Sequence, residues 1–107
     1  KVNPLTNYYS KPLYFYSESA EAEREIINNL APQNNLVVER IQRACPMDKN
    51  CSVEIPKKTC ENNFIIIEYS ENQELRQEKN CVYIKGTLEN ILKITDEFLL
   101  KLVGIKE

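Results

Sequence analysis

The stretch Phe64-Ile65-Ile66-Ile67-Glu68-Tyr69 is the most strand-like segment of this 107-residue chain. β-Branched and aromatic residues of this kind favour extended backbone. Because the apolar run is unbroken, we expect it to be buried on both faces, at the centre of a sheet. The next apolar run, Cys81-Val82-Tyr83-Ile84, follows a polar segment over 70–80. We expect the two runs to form an antiparallel hairpin with a long connection.

The first half of the chain has the order strand, helix, strand. Leu13-Tyr14-Phe15-Tyr16 favours a first strand. Serines and apolar residues at helical spacing then predict a helix over 19–30, which Pro32 would stop. Leu36-Val37-Val38-Glu39-Arg40-Ile41 favours a second strand. A strand–helix–strand unit of this length implies two parallel strands with a right-handed crossover.

The chain is expected to end in a second helix. Thr87 would cap this helix and Gly104 would end it. Apolar residues at helical spacing between them predict one stripe that packs on the core: Leu88, Ile91, Leu92, Thr95, Phe98, Leu99 and Leu102.

The length of the chain fits one hydrophobic core, because about 100 to 150 residues is the usual size of a domain. Residues 1–11 show no helical or strand period. We therefore expect an N-terminal arm over 1–11, tied down by Tyr8 and Tyr9, and a single α+β domain over 12–107.

Four cysteines, Cys45, Cys51, Cys60 and Cys81, are separated by five, eight and twenty residues. This spacing lacks the close pairs of zinc and iron–sulfur sites, so we expect two disulfides and no metal. Three pairings are open. We favour the most local one, which joins Cys45 to Cys51 and Cys60 to Cys81 across the expected hairpin. These bridges would hold the long loop over 43–63 in place.

The order β-α-β, long loop, β-β-α resembles the minimal thioredoxin-like fold, from about residue 12 to residue 104. This resemblance implies one four-stranded mixed sheet, made of a parallel βαβ half and an antiparallel ββα half, with helices on its faces. The C-terminal strand–glycine–helix ending is also similar to the endings of small uncharacterised extracytoplasmic archaeal proteins, which implies no activity.

The thioredoxin-like family carries a Cys-x-x-Cys pair where the first strand meets the first helix, and a cis-proline directly before the third strand. In this chain that junction reads Ser17-Glu18-Ser19-Ala20-Glu21-Ala22-Glu23, without a cysteine. Pro56 precedes Phe64 by eight positions. The resemblance therefore implies a member without oxidoreductase activity, retained as a binding or structural module.

Composition excludes several classes of function. The 14 basic residues are scattered along the chain and are balanced by 16 acidic ones, which argues against nucleic acid as a partner. The chain has no histidine, the commonest general base and metal ligand. Its two glycines cannot form a glycine-rich phosphate loop. We therefore name no catalytic residue, no metal ligand and no cofactor.

The expected disulfides predict maturation outside the reducing cytosol. Asn50-Cys51-Ser52 fits the N-glycosylation acceptor pattern of secreted chains. The sequence begins at Lys1 and contains no apolar run of about 18 residues that could span a bilayer. A removed signal peptide, or a membrane anchor outside this sequence, would explain the start and the cysteines.

The leading hypothesis is a non-catalytic extracytoplasmic domain that binds another protein or supports an assembly, in one version as the soluble part of a membrane-anchored protein. Its candidate surface is the tyrosine cluster Tyr8, Tyr9, Tyr14 and Tyr16, because tyrosine buries its ring while its hydroxyl stays polar. The competing interpretation is that these tyrosines only cover the sheet.

Two other classes of function stay open. The alternative to binding is a thiol–disulfide oxidoreductase that uses Cys45 and Cys51. Hydrolysis by paired carboxylates would use Glu18 with Glu21, or Glu68 with Glu71. Acidic residues are abundant in this chain, however, and a solvated surface explains these four more simply.

Overall fold

A five-stranded mixed sheet lies at the centre of the computed structural model, which describes residues 2–30 and 38–103. Pro32, Leu36, Val37 and Gly104, on which parts of the predictions rest, lie outside these residues. The N-terminal arm, which was expected to show no helical period, contains a short 3₁₀ helix (Leu5–Tyr8). After it, the helices and strands in chain order are β1 (Pro12–Ser17), α1 (Ala20–Leu30), β2 (Arg40–Arg43), β3 (Cys45–Pro46), β4 (Lys57–Lys58), β5 (Asn63–Tyr69), β6 (Glu74–Glu78), β7 (Cys81–Gly86) and α2 (Ile91–Val103).

The sheet has the spatial order β2-β1-β5-β7-β6. The first four of these strands are parallel, and only β6 is antiparallel to its neighbour. The parallel pairing of β1 with β2 confirms the predicted βαβ unit, although Val38 and Glu39 precede the strand and β2 continues to Arg43. The central position and the burial of β5 are also as predicted, since its first five residues are buried.

The predicted antiparallel hairpin of β5 and β7 is wrong, and so is the count of four strands. β5 and β7 are parallel, with Phe64 opposite Cys81. The segment over 70–80, expected to be a loop, contains β6, which runs back along the outer side of β7. Because β6 reverses the chain once, β7 regains the direction of β5.

Both predicted disulfides are present, Cys45–Cys51 and Cys60–Cys81. The Cys60–Cys81 bridge explains why β5 and β7 run parallel to each other. Cys60 precedes β5 and Cys81 begins β7, and their Cα atoms are 4.9 Å apart. In an antiparallel hairpin they would lie at opposite ends of the strands, about 20 Å apart at about 3.3 Å per residue.

Both helices pack on one face of the sheet. α1 begins as predicted, because the Ser19 hydroxyl oxygen accepts a hydrogen bond from the Ala22 N–H at 3.1 Å. α2 begins later than predicted, at Ile91, because residues 88–90 form a turn. Leu88 is 76% exposed and does not belong to the core stripe. The core between helices and sheet includes Ala22, Ile26, Leu30, Leu13, Ile65, Ile67, Val82, Ile84, Ile94 and Phe98.

The other face of the sheet carries a smaller buried cluster that includes Tyr14, Phe64 and Ile66. The segment over 44–62 covers part of this face. The segment was expected to lack regular structure, but β3 and β4 pair in parallel within it. Both disulfides connect it, one to itself and one to β7.

The N-terminal arm is packed against the domain. Tyr8 is 1% exposed in the main core, and its burial raises its pKa to about 12. Tyr9, in contrast, is 50% exposed. Asn3 donates from its backbone N–H to the Gln77 side chain at 2.9 Å and from its side chain to the Lys79 carbonyl oxygen at 3.0 Å. In the part of the chain that is described, no helix has the length and apolar character needed to cross a bilayer.

Candidate binding groove

A groove of about 390 Å³ lies on the sheet face opposite the helices. Phe64, Ile66 and Tyr83 line its floor. Residues 46–48 and 58–60 of the disulfide-held segment line one side, and Arg76 of β6 lines another. Three segments distant in sequence therefore form the walls, and parallel strands form the base.

The alternation of side chains along β5 and β7 produces this floor. Ile65 and Ile67 point to the helices, so Phe64 and Ile66 point to the groove. Tyr83 is the register partner of Ile66 and continues the same row. One step further along, Glu68 is the partner of Lys85. The floor is thus apolar and aromatic near the start of the strands and charged near their end.

Tyr83 is held from two sides. The Arg76 guanidinium lies 4.2 Å from the centroid of its ring, and its hydroxyl oxygen lies 3.6 Å from the Cys60 sulfur. Arg76 is itself paired with Glu74, at 2.7 Å, and with Glu78. Burial raises the pKa of Tyr83, and the Glu78 carboxylate raises it further. Its hydroxyl therefore stays protonated at neutral pH and can donate a hydrogen bond.

Glu68 fastens the disulfide-held segment to the sheet. Its carboxylate contacts the Lys49 ammonium at 2.8 Å and the Lys85 ammonium at 3.8 Å. The hydrogen bond to Glu68 is the main cause of the raised pKa of Lys49. Lys49 also lies 5.8 Å from the ring centroid of Tyr16. Together with the Cys45–Cys51 bridge, the ion pair of Glu68 with Lys49 holds the wall of the groove in position.

Lys58 is the cation of the groove lining that has no carboxylate partner among the described residues. Its ammonium lies 4.8 Å from the ring centroid of Tyr14, and the side chain is half-buried. Lys85 and Arg76, the other cations of the lining, are in ion pairs. Among the residues described, Lys58 forms no ion pair.

The structure does not bring the four predicted tyrosines together. Tyr8 is buried on the helix side, and Tyr9 is exposed. Tyr14 and Tyr16 belong to the groove face, but Tyr14 is buried there. The predicted site residues did not include Phe64, Ile66 or Tyr83. Their shared row could have been found from the alternation of the two strands, had the parallel register been known.

The other candidate residues have structural contacts. Cys45 is buried, with its sulfur 3.4 Å from the Lys49 carbonyl oxygen. Glu18 accepts hydrogen bonds from the Tyr69 N–H at 2.9 Å and from the Tyr16 hydroxyl at 3.2 Å. Glu68 is held by two lysines, and Glu21 and Glu71 are exposed. Within residues 2–30 and 38–103 no group of three or more Cys, Asp and Glu side chains could hold a metal ion.

The fold and the groove define an α+β domain with a mixed sheet, two disulfides and one concave face. Comparison with protein-family models, with curated proteins and with solved structures gives no match.

Proposed function

We propose that this chain is a non-catalytic, extracytoplasmic binding domain whose groove receives an extended segment of a partner protein. The observation that carries the proposal is the concave groove of about 390 Å³ on the sheet face opposite the helices, where the part-exposed Tyr83 lies beside the buried Phe64 and Ile66. Apolar and aromatic concave sites with a few polar groups are the usual form of binding sites.

Charge indicates what the partner segment carries. Lys58 is a half-buried cation without an ion pair among the described residues, so its charge is only partly screened. Asp48, also without an ion pair there, is exposed at the rim, where water screens its charge. We therefore propose a partner segment with an apolar side chain for the floor and a carboxylate for Lys58.

The two disulfides support a place outside the reducing cytosol. Anchoring to a membrane through a segment outside this sequence, and a thioredoxin-like or archaeal relationship, stay predictions that the binding proposal does not need.

The contacts favour binding over thiol–disulfide exchange. An external thiolate would reach the half-buried Cys51 more readily than the buried Cys45, and Cys45 would then leave as a thiolate. The Cys45 sulfur lies 3.4 Å from the Lys49 carbonyl oxygen, which does not stabilise negative charge. The oxidoreductase that uses Cys45 and Cys51 is therefore the less supported alternative.

The proposal can be tested with peptides selected from a random dodecapeptide phage library on the disulfide-intact domain. We expect the selected peptides to share an acidic and an apolar position. For a synthetic peptide of this set, Tyr83→Ala and Lys58→Glu should each raise the dissociation constant about tenfold, as measured by calorimetry. Replacing the acidic residue of the peptide by lysine should restore binding to Lys58→Glu.

The matched control is Lys93→Glu, the same charge change at an exposed position of α2, on the other side of the sheet. It should leave the dissociation constant within about twofold. Selected peptides that bind all three variants as tightly as the original chain would overturn the groove as the binding site. Loss of binding in Tyr83→Ala alone, with no effect of Lys58→Glu, would overturn only the acidic character of the partner.

A further inference from the structure

The acceptor pattern Asn50-Cys51-Ser52 occurs once in this chain. Of all its asparagines, only Asn50 is followed two positions later by serine or threonine, with a residue other than proline between them. The pattern lies in the disulfide-held segment that forms one wall of the groove, but Asn50, Cys51 and Ser52 do not line the groove.

The structure places this pattern where a large group fits. Asn50 and Ser52 are both exposed, outside any helix or strand. The Cys45–Cys51 bridge closes a short loop with a sequence separation of 6 and presents Asn50 at its surface. No hydrogen bond joins the Asn50 side chain to another described residue, so its amide is free to be modified without loss of a contact.

Two exposed apolar side chains lie three positions before and three positions after Asn50 in the sequence. Val53 is 99% exposed and Met47 is 59% exposed, each three residues from Asn50. Apolar side chains so exposed on one short loop are a liability in a secreted protein. A bulky, hydrophilic group at Asn50 would screen Val53 from contact with other molecules, whereas Met47 also lines the wall of the groove.

We propose that Asn50 is the acceptor of an N-linked glycan. In the transfer, the side-chain nitrogen Nδ2 of Asn50 forms a bond with the anomeric carbon of a lipid-linked oligosaccharide. The bond between that carbon and the lipid phosphate oxygen breaks, the lipid phosphate leaves, and the amide nitrogen loses one proton.

The glycan site and the groove are separate. Asn50 borders a second concavity, of about 260 Å³, together with Phe15, Arg43 and Ile55. None of these four residues lines the groove. The inference therefore does not rest on the binding proposal.

The test is secretion of the full chain from human cells behind a cleavable signal peptide, followed by intact mass measurement before and after peptide-N-glycosidase. We expect the mass of one N-linked glycan, removed by the enzyme with conversion of the acceptor asparagine to aspartate in the peptide that contains Cys51. Asn50→Gln and Ser52→Ala should each abolish the added mass, whereas Ser52→Thr should keep it. Asn72→Gln, at an exposed asparagine outside the pattern, is the control and should keep it too.

Thermal denaturation checks that the variants fold: after treatment with the enzyme, all of them should have the melting temperature of the enzyme-treated original chain. A secreted chain with both disulfides closed and no added mass would overturn the proposal. So would a glycan that persists in Asn50→Gln.

Discussion

Gly86 shows at the scale of a single residue how closely α2 approaches the sheet. A Cβ atom at this position would lie 2.6 Å from the Asn90 side-chain oxygen and 2.7 Å from the Ile94 Cδ1. The same Asn90 oxygen accepts the Thr87 N–H at 2.8 Å at the start of the helical region. A larger side chain here would therefore displace the Asn90 and Ile94 side chains, and with Asn90 a hydrogen bond of the cap.

We expect Gly86→Ala to lower the free energy of unfolding by about 1 to 3 kcal/mol, because the added methyl group pushes Asn90 and Ile94 out of place. Urea denaturation followed by circular dichroism measures the change. Leu88→Ala, at a neighbouring exposed position, is the control and should change stability by no more than about 0.5 kcal/mol. Equal stability of Gly86→Ala and the original chain would contradict the close packing.

At the scale of elements, the sequence predicted the strands with apolar runs and missed the strands without one, which are β3, β4 and β6. β6 has the sequence Glu-Leu-Arg-Gln-Glu, in which only Leu75 is apolar. It is held by antiparallel pairing to β7 and by the Arg76 guanidinium over the Tyr83 ring of β7, neither of which leaves a hydrophobic period. Without β6, the direction of β7 was assigned wrongly. The predicted Cys60–Cys81 bridge already opposed an antiparallel hairpin, because such a hairpin separates these two residues.

The two disulfides should differ in their contribution to stability. Cys60–Cys81 closes a loop with a separation of 21 residues, and Cys45–Cys51 one of 6. In the chain-entropy model, replacing the first pair by alanines should cost about 3 kcal/mol and the second about 2 kcal/mol. Each double variant serves as the control for the other in urea denaturation. A larger loss from the Cys45 and Cys51 double replacement would contradict this dependence on loop length.

At the scale of the whole molecule, the two faces of the sheet have different coverings. The α+β class, the parallel β1–β2 unit and both disulfides could be predicted, because they depend on local periodicity and on cysteine spacing. The groove could not be predicted, since its walls come from residues 46–48, residues 58–60 and β6, and only the strand register brings them together. For the same reason the burial of Tyr8 and Tyr14 could not be distinguished from the exposure of Tyr9.

Binding of a partner segment to the groove face can be followed residue by residue in an NMR titration. The ¹⁵N-labelled domain, with both disulfides closed, is titrated with a peptide selected from the random library. If the groove binds the peptide, we expect the largest chemical-shift changes on the amides of Lys58, Phe64, Ile66, Arg76 and Tyr83. Changes concentrated on α1, on α2 or on the outer edge of β2, with these five amides unmoved, would contradict binding at the groove face.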